Sequence, residues 1–230
     1  MKHALNNSMT RAEYIFGICY LAAQQYAIPL LLGLVGLLAG LRPDALWLNT
    51  AFFVTNFLVI CIAFHRYLGK NLRQFGKNFL SVIGTCIAGF LLYWSASFLL
   101  NLVIYLYLPD FANANNDNIQ SLASQQYWVM FICSVFLVPI AEETLYRGMI
   151  FGFLDRYSRP LAYAVSVVAF CAIHVVGYAG STQPLYLMVA MLQYIPAGLC
   201  LSWAYARTDT IFAPVMIHTA VNLMGMLAMR

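Results

Sequence analysis

The chain has 230 residues, of which 63% are hydrophobic and only 9% charged, against about 25% charged in soluble domains. A mean hydropathy of +0.77 excludes a soluble globular enzyme, a disordered chain and a nucleic-acid module. It leaves an all-α, polytopic membrane protein of one domain, and the net charge of +4 then concerns topology rather than a polyanionic partner.

Seven apolar stretches, each near the ~20 residues that cross a bilayer, predict spans at 14–40, 45–64, 78–108, 127–152, 160–178, 185–206 and 211–229. The first is too long for the apolar region of a signal peptide and lacks a small-residue cleavage site, so it is read as a helix. Pro29 predicts a kink in it, and Pro139 and Pro196 predict kinks in later spans. Between the second and third spans lies HRYLGKNLRQFGK, residues 65–77. Here Arg66, Lys70, Arg73 and Lys77 share one helical face and leave Leu68, Leu72 and Phe75 for another, the pattern of an interfacial helix on anionic headgroups. Residues 109–126 carry no basic residue and read as an external loop. All six cysteines lie in apolar runs without a C-x-x-C pair and read as buried small hydrophobes.

Orientation follows from the basic residues. With the N-terminus inside, the inner segments hold Lys2, Arg11, Arg66, Lys70, Arg73, Lys77, Arg147, Arg156, Arg159 and Arg207, and the outer segments hold Arg42 and Arg230. That predicts a cytoplasmic N-terminus and an external C-terminus. Short loops and no targeting extension fit a bacterial plasma membrane.

Only two of the eight acidic residues, Glu142 and Glu143, fall inside an apolar run. A carboxylate in hydrocarbon costs about 2.5–3.5 kcal/mol on insertion scales, so it needs a partner or a task. Arg147 is one turn from Glu143 and can neutralise it. Glu142 is rotated by about 100° and is left for a cavity. His174 and His218 lie within spans five and seven, while His3 and His65 sit at span edges. Phe170 precedes His174 by one turn and Asn222 follows His218 by one turn. At ~1.5 Å per residue, Glu142 and His174 lie about 20 Å from the cytoplasmic markers Asp155 and Pro160, but His218 lies only about 10 Å beyond Ile211. The two-turn mismatch closes if the last span tilts or begins nearer Arg207.

A carboxylate beside an imidazole can take a proton from water and give it to a leaving amine. A second imidazole and an amide can donate to a developing oxyanion. Glu142, His174 and His218 could equally hold a catalytic zinc with an open position. No H-E-x-x-H and no G-x-S-x-G is present.

Taken in order, Glu142-Glu143-x-x-x-Arg147, Phe170-x-x-x-His174 and His218-x-x-x-Asn222 resemble the three-motif signature of the CAAX-protease and bacteriocin-processing (CPBP) family of intramembrane proteases, also called the Abi family. The resemblance covers about 128–229, so 127–230 is expected to be the catalytic core and 1–126 a variable N-terminal part. It implies an endopeptidase acting on membrane-associated CAAX-like or leader-peptide substrates near the cytoplasmic side, with the catalytic cavity between the last four spans. Carried over by position, Glu142 is the general base with His174 beside it, His218 and Asn222 stabilise the oxyanion, Glu143 and Arg147 are the structural pair, and Phe170 packs the site. The motifs leave metal dependence open, although an asparagine in the fourth place suits an oxyanion hole better than a zinc shell. Two other readings compete: a non-catalytic scaffold or bacteriocin self-immunity protein, which has no need of the complete set, and a proton-coupled transporter, which should show paired halves. No such repeat is found. The expected partners are the bilayer and a membrane-anchored peptide, not nucleic acid.

Overall fold

The computed structural model describes Leu5 and residues 8–230; Lys2 and His3 lie outside the described residues. Among the described residues the chain is helical, with no strand. Helix α1 is Arg11–Gln24, α2 Ala27–Leu38, α3 Ala45–Ala63, α4 His65–Lys77 and α5 Phe79–Tyr107. Then come α6, Ala114–Gln125, and α7, Tyr127–Leu154, with π-helical stretches at Cys133–Leu137 and Thr144–Phe151. Helix α8 is Arg159–Ile173, α9 Pro184–Thr208 and α10 Phe212–Ala228.

Five of these, α3, α5, α7, α9 and α8 with its following turn, are long and apolar enough to span a membrane. A sixth span arises if α1 and α2, bent by 64°, cross together. The seventh expected span, α10, is a shorter apolar helix of 17 residues. The bend falls at Gln25–Tyr26, four residues before Pro29, whose missing N–H cannot bond the Gln25 carbonyl. Helix α9 runs through Pro196 without a break.

The most enclosed span is α7, half of whose window is buried, against 6% for α5. The helix with the costliest charges is therefore shielded by the others, and α5 turns its apolar side chains outward.

Helix α4 closes one end of the bundle. Its most buried residues are Tyr67 and Asn71; Leu68 and Phe75 pack half-buried against the core, and Leu72 is exposed. The Tyr67 N–H donates to Glu13, which also caps α1 by exchanging hydrogen bonds with Thr10. The Tyr67 ring sits so close to α7 that a Cβ on Gly148 would come within 2.8 Å of it. Burial, then the neighbouring Tyr205 hydroxyl 3.0 Å away, push the Tyr67 phenol well above its ordinary pKa. Asn71 accepts from the Ile211 N–H and, through its main-chain oxygen, from the Thr210 hydroxyl. The α9–α10 turn is thus buried beneath α4, and α10 starts inside the bundle. That removes the depth mismatch counted for His218.

Helix α6 occupies the opposite end, within the segment 109–126 expected to be loop. Asn113 caps it, accepting from the N–H groups of Asn115 and Asn116. Cys86, Cys133 and Cys171 are buried as expected, but Cys19 is exposed and Cys61 and Cys200 are half-buried; all six are free.

Candidate active site

Helix α7 presents its two glutamates to different surroundings. Glu143 and Arg147 are fully buried, and Arg147 Nη1 donates to Glu143 Oε1 at 3.0 Å. Arg147 Nη2 donates to the Gly198 carbonyl of α9 at 3.2 Å. The guanidinium also lies 4.3 Å above the centre of the Phe170 ring. Three helices thereby hold one cation.

Glu143 has a further partner that spacing could not reveal. His218 Nδ1 lies 2.8 Å from Glu143 Oε1. With that oxygen also accepting from Arg147, His218 Nδ1–H is read as the donor, and its Nε2 points away from Glu143. His174 is fixed in the same sense. Helix α8 ends at this residue, and the side-chain Nδ1–H donates to the Phe170 carbonyl at 2.8 Å. A carbonyl can only accept, so in the neutral ring Nε2 carries the lone pair.

Both Nε2 atoms face Glu142. Each lies 3.9 Å from Glu142 Oε2, a buried oxygen with no hydrogen-bond partner among the described residues. The His174 ring is packed between Phe170, 4.7 Å between centres, and Tyr194, 4.3 Å away and nearly parallel. Phe170 also meets His218 edge-on.

Asn222 is placed by a backbone irregularity. In the π-helical stretch the Val138 N–H bonds the Cys133 carbonyl. The next residue in that register is Pro139, which has no N–H for the Ser134 carbonyl. Asn222 Nδ2 donates to that carbonyl at 2.8 Å, leaving its second N–H and its oxygen beside the cavity. In the second stretch the Tyr146 carbonyl takes the Ser166 hydroxyl at 2.9 Å, pinning α8 to α7.

Glu142, His174, His218 and Asn222 line a cavity of about 580 Å³. Glu142 and His174 also line a second of about 360 Å³. The signature groups come from the last four spans, but α3, α5 and α6 complete the walls through Phe53, Tyr93, Trp94 and Asn115. The expected metal set, Glu142, His174 and His218, offers three lone pairs with no hydrogen between them. Among the described residues, however, no three His, Cys, Asp or Glu side chains form a group that could hold a metal ion. Two donors about 2.0–2.2 Å from one tetrahedral ion sit roughly 3.4 Å apart, closer than the 3.9 Å between each imidazole and Glu142. As positioned they do not fit, and no step is routed through a metal.

Residues 124–224 match the model of a known family, type II CAAX prenyl endopeptidase Rce1-like. Over those residues the chain is similar to that family. It is 24% identical to the UPF0177 protein YbdI of Lactococcus lactis subsp. lactis (strain IL1403), over 75% of this chain and 90% of that protein. To the protein named "Putative membrane peptidase YdiL" of Bacillus subtilis (strain 168) it is 25% identical, over 79% of this chain and 70% of that one. The UPF0177 protein YxdF of the same Lactococcus strain is 28% identical over 39% of this chain and 44% of its own length. No solved structure matches. The family match and the named peptidase support a membrane protease.

Proposed function

We propose that the chain is an intramembrane endopeptidase in which Glu142 activates water. The observation that carries this is Glu142 Oε2, which has no hydrogen-bond partner among the described residues, is buried at the cavity and is faced by two imidazole Nε2 atoms. A water between Glu142 and His174 donates one hydrogen to each, and its oxygen lone pair is left for a peptide carbonyl. As the C–O bond forms, Glu142 accepts the proton. When the C–N bond breaks, Glu142 passes it to the leaving amine.

The oxyanion needs donors. Asn222 has one N–H to offer. His218 stands beside it at the cavity, its ring held at Nδ1 by the Glu143 carboxylate. Glu143 is thus a positioning residue as well as the partner of Arg147, and Phe170 holds both imidazoles and the guanidinium in register.

The test is Glu142→Gln, which keeps size and polarity. Peptide termini in membranes of cells carrying wild type or mutant are compared at equal folded levels. Termini present only with wild type, and insensitive to exhaustive chelation, support the carboxylate mechanism. Identical termini would move the assignment to the scaffold or immunity reading.

A further inference from the structure

The basic residues and the chamber lie at opposite ends of the molecule. At the α4 end stand Arg11, Arg156, Arg159 and Arg207, with Arg66, Lys70, Arg73 and Lys77 on α4 itself. The chamber is walled by the other end of each helix. His174 closes α8, Gln193 lies in the third turn of α9, Met226 and Met229 end α10, and Asn113 and Asn115 belong to the α6 segment. Among the described residues only Arg42 and Arg230 are basic at this end.

We propose that the chamber opens on the extracytoplasmic face, and that its substrate is an internal bond of an uncharged polypeptide segment presented on that face. This rests on the endopeptidase reading and names its substrate class. Cytoplasmic retention of lysine and arginine fixes orientation through residues close to the span ends. The α4 end is therefore the inner one, and the chamber the outer. The residue counts agree: about 20 Å from the inner markers is past the midplane of a ~30 Å hydrocarbon core. Cleavage near the cytoplasmic side, which the family resemblance implies, does not suit this placement.

The lining decides the rest. No lysine or arginine lines the chamber, and Glu142 is its one acid among the described residues. A terminal carboxylate finds no cation there, and a terminal ammonium would meet only the general base. An internal segment has neither terminus. The outer wall carries amides joined in series: Asn113 Nδ2 donates to Gln193, whose Nε2 donates to Asn101. Asn115 Nδ2 donates to the Tyr194 hydroxyl, and Tyr194 stacks on His174. These side chains can exchange hydrogen bonds with an extended main chain and demand no charge from it.

The first experiment reads the side alone. Asn116 is exposed at the chamber and Lys70 is exposed on α4. Asn116→Cys and Lys70→Cys are made in the full chain and treated with a membrane-impermeant maleimide, with wild type as the background of the natural cysteines. Labelling of Asn116→Cys in intact cells, and of Lys70→Cys only after lysis, is expected; the reverse overturns the proposal. In the second, an end-blocked, uncharged, lipid-anchored peptide is added outside right-side-out vesicles. Cleavage there, lost in Glu142→Gln, is expected, and cleavage only in inverted vesicles overturns the proposal. Outer labelling with no cleavage in either orientation removes the endopeptidase reading and the substrate with it, while the side of the chamber stands.

Discussion

Two residues of α7 carry separable roles, and substitution can divide them. Glu143→Gln keeps the shape beside Arg147 but removes the carboxylate from His218 Nδ1. Catalysis should fall on the order of 10²–10⁴-fold in kcat with little change in KM, because the lost interaction holds the His218 ring at the reacting carbonyl rather than the bound substrate. An equal fall in KM and kcat would contradict this. Arg147→Ala acts on the fold instead. It leaves Glu143 buried without its cation and frees the Gly198 carbonyl, so thermal unfolding in detergent should show a loss of about 3–5 kcal/mol. Arg147→Lys should recover only part of it, since an ammonium cannot reproduce the fork or the stacking on Phe170. The sequence made the Glu143–Arg147 pair legible because four residues is one helical turn. The Glu143–His218 bond spans 75 positions, and no local period announces it.

At the scale of elements, what the sequence hides is register. Apolar runs located the long helices to within a few residues, because a span must bury its main chain in its own hydrogen bonds. The π-helical stretches of α7 have no such compositional mark, yet one of them positions Asn222. Pro139 was legible as a helix disturber; that it orphans the Ser134 carbonyl was not. Pro139→Ala supplies an N–H that competes for this oxygen. The substitution should raise or preserve thermal stability while lowering kcat, with Asn222→Ala adding little further loss in the double mutant. Additive losses would show that the two residues act independently. Helix α6 was missed for a different reason. Its sequence ANNDNIQSLASQ is rich in weak helix formers, and the helix is held by its Asn113 cap and by bonds to Gln193 and Tyr194 on α9. The α4 pattern gave the helix and an apolar line of which Leu68 and Phe75 pack against the core, but it did not mark Tyr67 and Asn71, whose burial also rests on hydrogen bonds to distant parts of the chain.

Across the whole molecule, the arrangement answers the insertion problem posed by α7. Glu142, Glu143 and Arg147 each cost about 2.5–3.5 kcal/mol at the centre of an isolated span. In the assembled bundle their partners on other helices come from later in the chain: Phe170 and His174 on α8, Gly198 on α9, His218 on α10. The intrahelical Glu143–Arg147 bond is the sole partnership available while only the first half exists. Helix α7 should therefore be held in the membrane less firmly before the last three helices follow. A chain ending at Ser158, with a reporter that reads which side its C-terminus occupies, tests this. The truncated chain should give a mixed population, and Glu142→Leu with Glu143→Leu and Arg147→Leu should restore a single one. The same reporter placed after Arg230 should give one population for wild type. If the truncated wild-type sequence already gives a single population, α7 inserts on hydropathy alone. The later helices would then be needed for the site and not for the span.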